Sequence, residues 1–374
     1  MTGPRDTASA DLLYSDVEQD LRSMVRELLT DRCQPADVLA RCESAQPYDM
    51  GLWKTLVDGL GVTALQVPEA SGGQGATVRE TAVVLEELGR HVAPVPYLGH
   101  SVLATTALLA CGSDLLPGVA SGERTATLAH SFAAYPGAGF PDAVRAGAGG
   151  LTGRVPAVAH AAIADLLVVP ALGPNGPELH AVPADAATIT PEVSLDLTRP
   201  LAEVVLDGAP AAPVAVGRTA VAALETALLT GAGLLASEQL GIAEWCLEST
   251  VGYLKQRHQF GRPVGSFQAL KHRLADLWQQ LVTARAAARY VADALATASP
   301  DVPVAVAVAQ SHCATVAVRA AEEAVQLHGG IGMTWEHPVH LYLKRAKSAE
   351  IALGTPGRHR ARLATMIDLP GPPR

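Results

Sequence analysis

The sequence predicts a mainly helical α+β protein in three parts: an N-terminal helical domain (residues 1–122), a middle β domain (123–213) and a C-terminal four-helix bundle (214–374). Three observations carry this expectation. Apolar residues recur at helical spacing from Ser15 to about Gly122. Between Arg124 and about Pro213 they shrink to short runs separated by Gly, Pro and Asp. From Val214 the helical spacing returns and lasts to about Leu363.

Composition agrees with several packed domains. The 374 residues exceed one compact core, and 49% hydrophobic against 17% charged content excludes a disordered chain. Aromatics make up only 4%, so the core is built from Ala, Leu and Val, which lets helices approach closely. A net charge of -9 gives no basic field, which argues against a nucleic-acid partner. Five scattered cysteines without a CxxC argue against a disulfide framework and a thiolate metal site. The first eleven residues hold no apolar segment. The uncharged Ala/Val-rich run at residues 302–318 falls just short of a membrane span and contains Pro303, Gln310, Ser311 and His312. The expectation is a cytoplasmic protein with a buried helix there and no membrane partner.

The elements follow in order. Ser15 and Glu18 form a capping box, and Leu21, Met24, Val25, Leu28 and Leu29 recur behind it. A second helix surrounds Trp53, Leu56, Val57 and Leu60, and residues 71–75 are a glycine-rich loop. Thr77 or Arg79 opens a helix through Val83, Val84, Leu85 and Leu88, which Gly89 is expected to close; another spans residues 99–111. Strands are expected at 126–128, 164–169, 179–182 and 202–206, in an antiparallel barrel or sandwich. Long helices are expected at 214–255, 267–297 and 303–328, the first burying Leu224, Leu228, Leu235 and Ile242.

Two segments carry chemistry. Arg257-His258-Gln259-Phe260-Gly261-Arg262-Pro263, followed by Phe267-Gln268 and residues 271–276, places two arginines at a turn between helices. Such a turn either clamps a phosphate with fork geometry or is a solvated corner with an aromatic plug. Gln326-Leu327-His328-Gly329-Gly330-Ile331-Gly332 ends a helix in glycines. Its amides either cradle a phosphate or ribityl chain or simply stop the helix.

Together these segments resemble the acyl-CoA dehydrogenase family over nearly the whole chain. Residues 65–73 resemble the family's "VPEEYGG" loop, 84–90 the helix after it, and 257–276 its "RxQFGRPxxxFQxxKHxxAD" signature. Residues 326–332, with Pro338 and Arg345-Ala346-Lys347, resemble its C-terminal signature. The resemblance implies FAD bound where two subunits meet. Arg257, Gln259, Phe260, Gln268 and the run Gln326, Leu327, His328, Gly329, Gly330 would touch the neighbouring subunit's cofactor. It also implies α,β-dehydrogenation of an acyl-CoA thioester, in which a glutamate removes the α-proton, a hydride passes to the flavin, and an electron-transfer flavoprotein accepts the electrons.

The sequence departs from that pattern at the chemistry. The element that usually carries the base reads Ala352-Leu353-Gly354-Thr355, so the base position is Leu353. The alternative position, on the helix before the arginine turn, is Gly231. No catalytic residue is therefore assigned. Glu225 lies off the face of Gly231, Glu238 shares that face about 10 Å further along, and Glu350 precedes Leu353 by one turn. The flavin-covering strand reads as residues 129–139 without its acidic and serine elements, and the later one as 155–161 without Trp or Thr. The chain thus resembles the base-less subunit of actinobacterial α2β2 heterotetramers that act on steroid side-chain CoA thioesters. The implied partner is a homologous catalytic subunit. Two other readings are a homomeric enzyme using Glu350 or Glu238, and a flavin-free structural relative.

Overall fold

The computed structural model describes residues 12–369. The N-terminal part comprises α1 (Asp16–Arg32), α2 (Pro35–Cys42), α3 (Met50–Lys54), α4 (Val78–Arg90), α5 (Thr105–Ala110) and α6 (Leu116–Ala120). The expected Ser15 capping box is formed, and a second one opens α4. Ser15 accepts from the Glu18 amide and Thr77 caps α4 with Glu80 reaching back. Two stretches read as ordinary helix are wound as π-helix, Thr55–Gly59 after α3 and Leu98–Ala104 before α5.

Gly89 does not close α4, which runs on through Arg90. Its glycine serves helix packing instead. A Cβ there would stand 2.2 Å from the Glu238 carbonyl, and one at Gly241 would stand 1.9 Å from the Glu86 carbonyl. The two backbones cross where neither helix has a side chain to hold them apart.

The middle part is one eight-stranded sheet: β1 (Ala126–Leu128), β2 (Val144–Gly147), β3 (Gly150–Ala159), β4 (Leu166–Gly173), β5 (Gly176–Pro183), β6 (Thr188–Glu192), β7 (Leu201–Ala209) and β8 (Ala212–Val216). The order is β6-β7-β3-β2-β4-β5-β8, with β1 joined to β4. Most pairs are antiparallel, but β1–β4 and β2–β4 are parallel, so the sheet is mixed. Leu151, Val155, Leu167, Val169, Val204 and Leu206 form its own core.

The C-terminal part comprises α7 (Gly217–Gln256), the hairpin β9 (His258–Gln259) and β10 (Arg262–Pro263), α8 (Gln268–Ala296), α9 (Val302–His328), α10 (Val339–Ile351) and α11 (Pro356–Met366). Leu224, Leu228, Leu235 and Ile242 of α7 are all buried. By length and composition α7 and the segment Val302–Met333 could each cross a membrane. In each, 67% of the apolar window is buried against the rest of the chain, as in the core helices of a soluble fold.

Candidate functional site

The two motif segments meet at one end of the bundle. Tyr253, one turn before the end of α7, stacks on His328 at the end of α9, with ring centroids 4.6 Å apart. Arg257 is the C-cap of α7. Its amide donates to the Tyr253 carbonyl (2.9 Å) and its own carbonyl accepts from Val264 (2.7 Å). Its side chain is exposed and has no ion pair among the described residues. Gln259 pairs with Arg262 across the hairpin. The tip residues Phe260 and Gly261 both have positive φ, 52° and 75°, as a two-residue I′ turn demands. That conformation strains an aromatic residue by about 1 kcal/mol or more. Yet the Phe260 ring is 90% exposed, so the strain is not repaid by burial in this chain. Phe267 meets Phe260 edge-on at 6.1 Å and carries Arg262 over its face at 3.9 Å. Gln268 begins α8, also exposed.

The second segment divides. Gln326, Gly329 and Gly330 face solvent, and a Cβ at either glycine would meet nothing within 4 Å. Gly329 has φ 62°. Leu327 and His328 turn their side chains inward. His328 Nδ1 bonds the Ala324 carbonyl at 2.7 Å, and burial lowers its pKa, so the ring is neutral at physiological pH.

The positions matching a base lie together elsewhere. A Cβ built at Gly231 would stand 3.2 Å from Leu353 Cδ1 and 2.4 Å from Leu103 Cδ2. Leu353 is buried with φ 52°. Its amide donates to the Phe132 carbonyl (2.8 Å) and its carbonyl bonds His359 Nε2 (2.9 Å). The interior between Leu103, Phe132, Leu228 and Leu353 retains a cavity of only about 10 Å³, at the limit for one water. His130 lies beside it, its pKa pushed down to about 4 by burial.

Residues 129–139 are fastened over this closed interior. The Phe132 amide donates to Ala157 (2.8 Å), and Arg199 covers the Phe132 ring at 5.3 Å. The Gly137 amide donates to Glu225 (2.8 Å), Arg362 bonds both Glu225 and the Pro136 carbonyl, and Arg358 lies over Tyr135 at 4.7 Å. Leu103, Phe132, Arg199 and Arg362 carry this closure. No local motif marks them, because each acts through a contact distant in sequence.

The three nearby glutamates are all engaged. Glu225 holds the Gly137–Arg362 contact. Glu238 is buried and pairs with Arg199, with Arg345 Nε 3.7 Å from its other oxygen; Arg345 also reaches Asp196 (3.4 Å) and the Ala93 carbonyl (3.0 Å). Glu350 is half-buried beside Lys347 at 3.7 Å.

Two family patterns match the chain: "Acyl-CoA dehydrogenase, N-terminal domain" over residues 15–123 and "Acyl-CoA dehydrogenase, C-terminal domain" over residues 221–367. The chain is 37% identical to "Acyl-CoA dehydrogenase IpdE2" of Mycolicibacterium smegmatis, over 94% of this chain and 99% of that one. Its structure is similar to that of a variant of the Tcur3481-Tcur3483 steroid ACAD, with a TM-score of 0.84 and 32% identity over 94% and 98% of the two chains. It is also similar to the ChsE4-ChsE5 complex from Mycobacterium tuberculosis, with a TM-score of 0.83 and 29% identity over 97% and 100%.

Proposed function

This chain belongs to the acyl-CoA dehydrogenase family, and we propose that within it the chain is a cofactor-completing, base-less subunit of a heteromeric enzyme. One observation carries the reading. The interior where a base would stand is filled and sealed, whereas the Arg257 hairpin and the Gln326–Gly330 run stand open on the surface.

The exposed residues fit FAD. Arg257 offers an unpaired guanidinium to a pyrophosphate. Gly329 and Gly330 let the backbone approach a ligand without side-chain obstruction. Phe260, strained and solvent-exposed, offers a rigid apolar face, and Gln259, Gln268 and Gln326 offer amide groups. Leu327 and His328 contribute by fixing the end of α9 through the stack on Tyr253. When bound, FAD supplies the hydride acceptor for α,β-dehydrogenation of an acyl-CoA thioester. This chain's part is to hold the cofactor in a half-site completed by a homologous catalytic subunit in an α2β2 assembly. That partner brings the glutamate, and an electron-transfer flavoprotein takes the electrons.

In this chain Leu353 and Gly231 leave no proton acceptor at either base position. Glu238 and Glu350 do not replace it: the first is locked between two buried arginines and the second is paired on the surface of α10. The acyl group belongs to the partner's pocket; the steroid-related protein among the structural relatives supports a steroid side-chain thioester. A cytoplasmic location follows from the same reading. The test is expression of the chain alone and together with a homologous acyl-CoA dehydrogenase from the same source that carries a glutamate at a base position. The chain alone is expected colourless and inactive, and the pair yellow and active. A yellow, active single chain overturns the reading; persistent lack of flavin with the partner leaves only the flavin-free relative.

A further inference from the structure

The connector between α9 and α10 closes on itself. It leaves α9 at His328, exposes Gly329 and Gly330, and returns at His337, whose ring centroid lies 4.3 Å from that of His328. The same His328 ring stacks on Tyr253 of α7 at 4.6 Å, so rings from three elements meet at one point. His328 is buried, and its Nδ1 bond to the Ala324 carbonyl ties it to the last turn of α9. Its Nε2 is also buried and has no hydrogen-bond partner among the described residues. Stacking, and not a second hydrogen bond, therefore steadies the outer edge of the ring. The loop beyond it has little hold of its own. Gly329 sits at φ 62° and ψ -139°, a conformation essentially confined to glycine. Neither it nor Gly330 has a side chain to fix the direction of the chain. Further along, Trp335 anchors the loop to α2 and α10: its Nε1 donates to Glu43 (2.5 Å), and its ring stacks on His340 at 4.3 Å beneath Lys344.

We propose that His337 is a positioning residue for the cofactor: by closing the loop on His328 it holds the Gly329–Gly330 backbone in the shape that receives FAD. The inference rests on the flavin reading above and adds to it a residue outside the surface assigned to the cofactor. The gain is preorganisation. A loop already held in its bound shape loses less conformational freedom when the ligand arrives, and an unclasped one is ordered at the expense of affinity. The Tyr253 stack carries the hold to α7, four residues before Arg257. One buried ring thus fixes the glycine run and the arginine hairpin relative to each other.

Two variants test it, His337→Ala and His337→Phe. His337 Nδ1 also accepts from the Val339 amide at 3.3 Å. Phenylalanine keeps the ring and loses that acceptor, so it separates stacking from the start of α10. Hydrogen exchange on the single chain needs no flavin. Across residues 329–334 it should quicken at least about fivefold in His337→Ala, stay near the natural rate in His337→Phe, and be unchanged elsewhere, which shows that both variants are folded. In the assembled complex the dissociation constant for FAD should rise about five- to tenfold in His337→Ala, the size of one aromatic contact, and less than about twofold in His337→Phe. Unaltered exchange in His337→Ala, or a phenylalanine variant as weak as the alanine one, overturns the proposal. So does unaltered flavin retention in His337→Ala where Arg257→Ala loses flavin, and the flavin reading then stands. Retention indifferent to both His337→Ala and Arg257→Ala overturns that reading and the proposal with it.

Discussion

Arg257 and Phe260 stand in solvent at one end of the bundle, while Leu353 and Gly231 lie sealed beneath Phe132. Both pairs fall within family signatures or beside them, yet the physical demands on them are opposite. At the rim, charge, strain and open glycines persist although they bring this chain no stability. In the interior, Leu353, Gly231 and their neighbours are apolar, and the space between them is filled. An interior that no longer receives a ligand gains by filling, because an empty apolar cavity forfeits dispersion contacts. A rim that serves another molecule gains nothing by filling. On the reading proposed above, a binding surface and a reaction chamber are separable parts of this fold.

The largest effect that would break the comparison is catalytic. The chain alone should dehydrogenate acyl-CoA at least about 10²–10⁴-fold more slowly than the assembled complex, as loss of a general base implies. Gly231→Glu should not restore activity. Its Cβ would already overlap Leu103, and an unpaired carboxylate would follow it into an apolar interior. Steady-state turnover with an artificial electron acceptor measures both; activity in the Gly231→Glu single chain would mean that the interior still admits substrate and cofactor. Next in size is the latch beneath it. Glu238→Gln leaves Arg199 and Arg345 buried without their shared counter-charge and should cost about 3–5 kcal/mol in urea denaturation. Were Glu238 instead a base, the substitution would silence turnover while leaving stability nearly intact.

The helices are legible in the sequence because their signals are local: Ser15 with Glu18 and Thr77 with Glu80 specify helix starts within four residues. The apolar runs at 126–128, 179–182 and 202–206 fall in strands and that at 164–169 enters one at Leu166, but β2, β6 and β8 leave no such mark. Val144–Gly147, Thr188–Glu192 and Ala212–Val216 carry few large apolar side chains and owe their conformation to neighbouring strands. Gly89 reads as a stop because a glycine at a helix end and one at a helix crossing look alike without the second helix. At the site, the missing carboxylates at Leu353 and Gly231 are visible by inspection. Their convergence to 3.2 Å, and the fastening of residues 129–139 by Arg199, Arg358 and Arg362, depend on contacts that no window of sequence contains.

A smaller effect sharpens the rim. Arg257→Ala should weaken retention of FAD by the assembled complex by about 1.5–3 kcal/mol, the range for a charge-assisted hydrogen bond. Gln268→Ala, which removes a neutral donor, should cost less, about 0.5–1.5 kcal/mol. Flavin released during equilibrium dialysis of the complex reports both. Because Arg257 is exposed and unpaired here, neither substitution should alter the stability of the single chain. Flavin content indifferent to Arg257→Ala would detach the hairpin from the cofactor.

The smallest effect separates the apolar interior from an ionic seam nearby. Glu86 is fully buried between α4 and α7. It accepts from the Tyr14 hydroxyl (2.6 Å) and from Arg22 (2.7 Å), with Glu244 sharing Arg22, Glu87 beside them and Arg289 over Tyr14. Burial, then the charge of Glu244, raise its pKa to about 7, against 4.5 ordinarily. Between those values the folded chain holds a proton that the unfolded chain has released, so this group makes stability fall as pH rises from 4.5 to 7 and costs the most above 7. Buried His100 and His130, both lowered to about 4, act in the opposite direction: they make stability fall as pH drops from 6.5 toward 4. The whole-chain profile therefore mixes signs, and the variant isolates one. Glu86→Gln keeps an acceptor for Tyr14 and removes the charge. Relative to the natural chain it should gain about 1–3 kcal/mol at pH 8, and the gain should fade as pH falls toward 4.5. Urea midpoints at four pH values measure the difference. A gain that stays constant with pH would show that Glu86 does not titrate in this range.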